Sequence, residues 1–98
     1  MKRYDILLNP KARKELKDLP SEITDRIKKG MRELSSSPKE SRSGKDVKKL
    51  SGTSSPELYR LRVGDHRAIY WVDEEEKEVL VEKIAIRKRA YRDLSELI

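Results

Sequence analysis

A chain of 98 residues suits one compact domain spanning 1–98, and its 35% hydrophobic against 43% charged residues allow only a small core. Lys and Arg number 24 against 18 Asp and Glu, and the resulting net charge of +6 points to a polyanion or an acidic protein as partner. The absence of Cys and the lone His66 exclude a disulfide framework, a thiol nucleophile and a structural zinc site.

"YDILLN", Tyr4 to Asn9, reads as a first strand. The short apolar part of "MKRYDILLNP" argues against a secretory signal, and the longest apolar run, Ala68 to Val72, is far too short to cross a membrane. The chain is therefore expected to be cytoplasmic. Asn9 and Pro10 then open a helix, as N-cap and first helical residue, with Ala12, Leu16 and Leu19 at helical spacing. Pro20 ends it, and Ser21 is read as the cap of a second helix. Ile23, Ile27, Met31 and Leu34 place one apolar stripe on that helix, read as core.

Ser35 to Pro56 breaks all periodicity and reads as a long loop, with one ordered turn in "KDVKKLSG" anchored by Val47 and Leu50. "LYRLRV" and "HRAIYWV" are strand-like runs around Gly64-Asp65, a two-residue hairpin connection. "DEEEKE" is an exposed turn, "VLVEKIAI" a further strand, and "YRDLSELI" a short terminal helix. The order is β-α-α-β-β-β, which predicts an α+β fold: an antiparallel sheet with two N-terminal helices packed on one face.

With Gly64 and Asp65 as the turn, Val63 faces His66, Arg62 faces Arg67, Leu61 faces Ala68 and Arg60 faces Ile69. Side chains alternate between faces, so Tyr59, Leu61, Val63, His66, Ala68 and Tyr70 share one side. Arg60, Arg62 and Arg67 share the other, beside Leu58, Ile69 and Trp71. Like charges directly opposed cost stability, so a phosphate-bearing ligand is the expected neutraliser. The competing expectations are an internal Asp or Glu partner, or plain solvation. His66 falls on the face away from the arginines and reads as structural.

"KIAIRKRAYRDL" adds a second basic cluster, Lys83, Arg87, Lys88, Arg89 and Arg92, interleaved with Tyr91. Phosphate contact with base stacking on Tyr91 and a solvated tail are both open readings of it.

The element order, "LYRLRVGDHRAIYWV", the "KKLSG" at Lys48 to Gly52 and the closing "IAIRKRAYRDL" together resemble the RelE toxins of the RelE/ParE superfamily of type II toxin–antitoxin systems. The resemblance covers nearly the whole chain. It implies a RelE-like microbial RNase fold and a metal-independent, cofactor-free endoribonuclease that enters the ribosomal A site and cuts mRNA through the 2′-hydroxyl. It implies a cognate RelB-like antitoxin, acidic and amphipathic, as partner. By the same resemblance, Arg67 and Arg87 would stabilise the phosphorane, Tyr91 would lie near the scissile nucleotide and Arg62 would complete the catalytic group. Arg60, Lys48, Lys49, Lys45, Arg42, Lys88 and Arg89 are the expected RNA-binding residues.

Three positions depart from the family pattern. Arg60 and Arg62 stand where some members carry lysines, and Ile86 where many carry a histidine. Arginine stays protonated and is a poor general base. Tyr91, Lys45, Lys48 and Lys49 are the candidates for that role. Two rival readings remain: a ParE-type gyrase inhibitor on the same scaffold, and a basic RNA-binding module without catalysis.

Overall fold

The computed structural model describes residues 3–40, 46–52 and 55–86. Along them run β1 (Asp5–Leu8), α1 (Pro10–Lys17), α2 (Ser21–Glu33), β2 (Asp46–Lys49), β3 (Tyr59–Val63), β4 (His66–Asp73) and β5 (Glu78–Ile86). The strands form one sheet in the order β1-β5-β4-β3-β2. No helix among the described residues is long and apolar enough to cross a membrane.

The α+β layout stands, with two corrections. The sheet is mixed, because β1 pairs parallel to β5 from Asp5 opposite Glu78 to Leu8 opposite Val81. A parallel neighbour requires a long crossover, which the two helices and the remaining strands supply. The segment expected to be a turn around Val47 is instead the edge strand β2, antiparallel to β3 with Val47 opposite Leu61. The expected terminal helix, Tyr91 to Ile98, lies outside the described residues.

Asn9 caps α1 as expected, its Oδ1 accepting from the Ala12 N–H at 2.7 Å, and Pro10 is the first helical residue. Such a cap is worth about 1 kcal/mol. Ser21 is not a cap: Pro20 holds that position in α2 without a side-chain bond. Thr24 joins the two helices instead, donating to the Leu16 carbonyl at 3.0 Å. That satisfies one of the acceptors left over at the end of α1.

The stripe on α2 is core: Ile27, Met31 and Leu34 are buried and Ile23 packs at the margin. They meet Ala12 and Leu16 from α1 and Tyr59, Leu61, Ala68, Tyr70 and Val81 from the sheet. Gly30 permits the close approach of α2 to β3, since a Cβ there would lie 3.1 Å from Val63 Cγ2.

β1 stops at Leu8, so the edge of β5 beyond Val81 has no strand beside it. Glu15 fills the gap from α1: one carboxylate oxygen accepts from the Ile84 N–H at 2.9 Å and the other from Lys83 Nζ at 3.0 Å. Lys83, read from sequence as part of a basic cluster, is thus a buried structural cation. The pairing of β4 with β5 shifts between Ile69 and Tyr70, leaving Glu82 without an opposite residue. Its carboxylate accepts from Asn9 Nδ2 at 2.7 Å and from the Trp71 indole at 2.8 Å.

Candidate functional site

The hairpin register is the one the turn predicts: Val63 opposite His66, Arg62 opposite Arg67, Leu61 opposite Ala68 and Arg60 opposite Ile69. Of the two turn residues only Gly64 takes a positive φ, 61°. Glycine at the first central position is the arrangement of a type II′ turn, which matches the twist of the strands it joins.

Arg60, Arg62 and Arg67 therefore share the sheet face that turns away from the helices. On that face a second, small apolar cluster forms from Leu50, Leu58 and Ile69, with Trp71 and Ala85 at its margin. The arginines sit beside this patch. Low-dielectric surroundings strengthen their pull on an anion. β2 brings Lys48 to the same face, in register with Arg60, and Asp46, in register with Arg62.

The three arginines differ in setting. Arg62 is exposed, and its Nε donates to the Gly64 carbonyl at 3.3 Å. Arg67 is 4% exposed and its Nη1 donates to the carbonyls of Gly64 at 3.3 Å and His66 at 3.2 Å. Arg60 has a side chain 12% exposed and places Nη1 3.1 Å from Asp46 Oδ1. The expected internal carboxylate partner thus exists for one arginine of the three. The contact is an ion pair without hydrogen-bond alignment, since Nε and Nη1 of Arg60 lack an acceptor among the described residues. So does Nε of Arg67. Buried donors left without acceptors are rare in folded proteins and cost free energy. Here all of them are guanidinium N–H groups on one face, the donor type that suits phosphate.

The remaining expected site residues divide. Lys49 takes the other face, opposite Tyr59, and lies 2.6 Å from Glu57. The Glu57 carboxylate holds its ammonium above the ordinary lysine value, which disfavours the neutral form a general base needs. Arg42, Lys45, Arg87, Lys88, Arg89 and Tyr91 lie outside the described residues. His66 keeps to the helix side, lining a groove with Ile23 and Arg26 of α2. A shallow hollow beside α1, lined by Leu8, Pro10, Arg13, Lys14 and Lys17, holds none of the orphaned donors. Asp46 escaped the sequence reading. Its one signal was the alternation of Asp46, Val47 and Lys48, too short to stand out inside a 22-residue polar stretch, Ser35 to Pro56.

Comparison with known proteins identifies the family and the fold. The family described as "ParE toxin of type II toxin-antitoxin system, parDE" matches residues 6–91. A curated protein of Methanocaldococcus jannaschii, named "Putative toxin RelE1", is 30% identical over 91 residues, covering 93% of this chain and 98% of its own. A chain of the archaeal RelE–RelB complex from Pyrococcus horikoshii OT3 superposes with a TM-score of 0.73 at 34% identity, over 88% of this chain and 97% of that one. A chain of the RelB–RelE complex from Methanococcus jannaschii gives a TM-score of 0.68 at 28% identity, over 87% and 94% of the two chains.

Proposed function

The chain belongs to the RelE/ParE superfamily of type II toxin–antitoxin toxins, and on that premise we propose that it is a RelE-type endoribonuclease that cleaves mRNA in the ribosomal A site. The observation that carries the reading is the single sheet face holding Arg60, Arg62 and Arg67, where buried guanidinium donors of Arg60 and Arg67 meet no acceptor among the described residues. Cleavage through the RNA's own 2′-hydroxyl concentrates negative charge on the phosphorane, and fixed cations stabilise that charge. Arg62 and Arg67 supply it from the hairpin, and Arg87 is assigned the same role from the sequence. Arg60 and Lys48 hold the flanking phosphates, with Arg42, Lys45, Lys88 and Arg89 extending the contact. Tyr91 stacks near the scissile nucleotide. The reaction uses no metal or cofactor, and the protein acts in the cytoplasm as one domain.

The partner proposed is a RelB-like antitoxin. The relatives from Pyrococcus horikoshii and Methanococcus jannaschii are seen in RelE–RelB complexes. An acidic, amphipathic segment suits a toxin of net charge +6.

One observation favours a second reading: the matching family carries the ParE name, and ParE-type toxins act on gyrase. The experiment that separates them is toeprinting of an mRNA on programmed ribosomes with wild type, Arg62→Ala and Arg87→Ala. A new 3′ end in the A-site codon, made by wild type and lost in both variants, supports the nuclease. Tight ribosome binding without a cut leaves an RNA-binding module. Neither binding nor cutting, with inhibition of purified gyrase, establishes the second reading.

A further inference from the structure

We propose that Asp46 is the general base of the cleavage, the group that takes the proton from the attacking 2′-hydroxyl. This rests on the nuclease reading above and goes beyond it. The reaction needs a proton acceptor, and the arginines cannot serve, because a guanidinium stays protonated. A carboxylate, with an ordinary pKa near ~4, is in its basic form at neutral pH. Among the described residues, Asp46 is the only carboxylate ion-paired with any of the three arginines.

Its placement suits the task. Asp46 opens β2, directly opposite Arg62, and its carboxylate reaches Arg60 one step along the strand. It therefore stands between the two arginines proposed to hold the reacting and flanking phosphates. Its side chain is 51% exposed, so a nucleotide can approach it, whereas Arg60 beneath is 12% exposed. The contact with Arg60 lacks hydrogen-bond alignment, so it orients the carboxylate while leaving its oxygens able to accept from a hydroxyl. Lys48, the other basic side chain that β2 brings to this face, carries a cation and would first have to lose its proton.

The step balances simply. The Asp46 carboxylate accepts the 2′-hydroxyl proton as the 2′-oxygen bonds to phosphorus. The bond from phosphorus to the 5′-oxygen breaks, and that oxygen leaves with a proton from solvent. The products are a 2′,3′-cyclic phosphate and a 5′-hydroxyl end, and Asp46 returns its proton to water.

The test is single-turnover cleavage on programmed ribosomes across pH, with wild type, Asp46→Asn and Asp46→Glu, each checked for folding by thermal melting. Removing a general base typically lowers the rate by ~100–10,000-fold. The expected result is a loss of that size in Asp46→Asn, disappearance of the acid limb of the pH profile, and partial recovery in Asp46→Glu. A wild-type rate in Asp46→Asn overturns the assignment. So does a slower rate with an unchanged pH profile, which would make Asp46 a positioning residue for Arg60. A wild type that does not cut overturns the nuclease reading, and this step with it. A cutting wild type beside an equally active Asp46→Asn leaves that reading intact.

Discussion

Arg62 and Arg67 stand directly opposite each other across the β3–β4 hairpin, and both donate to one acceptor, the Gly64 carbonyl, at 3.3 Å each. Two like charges in register would ordinarily repel and cost stability. The shared carbonyl dipole holds both guanidinium groups at the turn and offsets part of that cost. The turn therefore does two jobs: it fixes the register, and it aims two cations at the same side of the sheet.

That dependence predicts the effect of Gly64→Ala. A Cβ there meets only Arg26 Nη2 at 3.8 Å, an ordinary contact, so space is not the obstacle. The obstacle is φ of 61°. A left-handed conformation costs an L-residue about 1–2 kcal/mol. Urea unfolding should show a loss of that order, and cleavage should fall further than stability, because the carbonyl that aims Arg62 and Arg67 moves.

Tyr70 is fully buried, stacks on Tyr59 with ring centroids 5.8 Å apart, and donates its hydroxyl to the Pro38 carbonyl. It ties the loop after α2 to the sheet. Tyr70→Phe leaves a buried carbonyl without its donor and should cost about 1–3 kcal/mol. Burial pushes the phenol pKa above its ordinary value near ~10. Its contribution is fully present below that value and is lost as pH rises beyond it, because the unfolded chain releases the proton first. Unfolding midpoints at alkaline pH should fall for wild type and fall less for Tyr70→Phe.

Glu74 gathers three donors in the β4–β5 turn: Lys39 Nζ at 2.8 Å, the Tyr4 hydroxyl at 2.6 Å and Lys77 Nζ at 3.4 Å. Lys39 first, then Tyr4, hold its carboxyl at about 2. The unfolded value is near ~4.3, so the stabilisation is complete above that pH and disappears as pH falls toward 2. With the side chain 46% exposed, solvent screening limits the effect to about 0.5–1 kcal/mol. Glu74→Gln should lower the urea midpoint slightly at pH 7 and match wild type near pH 2.

Glu15 is the acceptor for both Lys83 and the Ile84 N–H where β1 has ended. Glu15→Ala removes the carboxylate from a cation 4% exposed. Taking one partner from a buried pair costs about 3 kcal/mol or more. A thermal melt should show it as the largest loss among these stability variants.

What the sequence disclosed and concealed follows from range. The hairpin register was legible because a two-residue Gly-Asp turn leaves one pairing, and alternation then assigns every face from Tyr59 to Trp71. The cap at Asn9 and the stripe on α2 were legible for the same local reason. β2 was hidden because its four residues, Asp46–Lys49, carry three charges and one apolar anchor, Val47. Charged residues are how exposed edge strands avoid pairing with other chains, and they also mask the strand. The parallel pairing of β1 with β5 joins residues more than seventy positions apart, and nothing local encodes it. Asp46 was missed with its strand, since only pairing with β3 brings it to the arginines.

Burial decides how the arginine face is best tested. Arg67→Ala removes one of the two hairpin cations proposed to face the phosphorane. Arg67 is 4% exposed and bonds two carbonyls of the turn, so its removal should also cost about 1–3 kcal/mol and confuse the readout. Arg62 is exposed and makes one weak bond to Gly64. Arg62→Ala should therefore melt within a degree or so of wild type, as surface substitutions usually do. Its cleavage rate should nonetheless fall by ~100–1000-fold, the usual loss for one donor to a transition-state charge. A stable, fully active Arg62→Ala would remove Arg62 from the catalytic group and leave the phosphorane to Arg67 and Arg87.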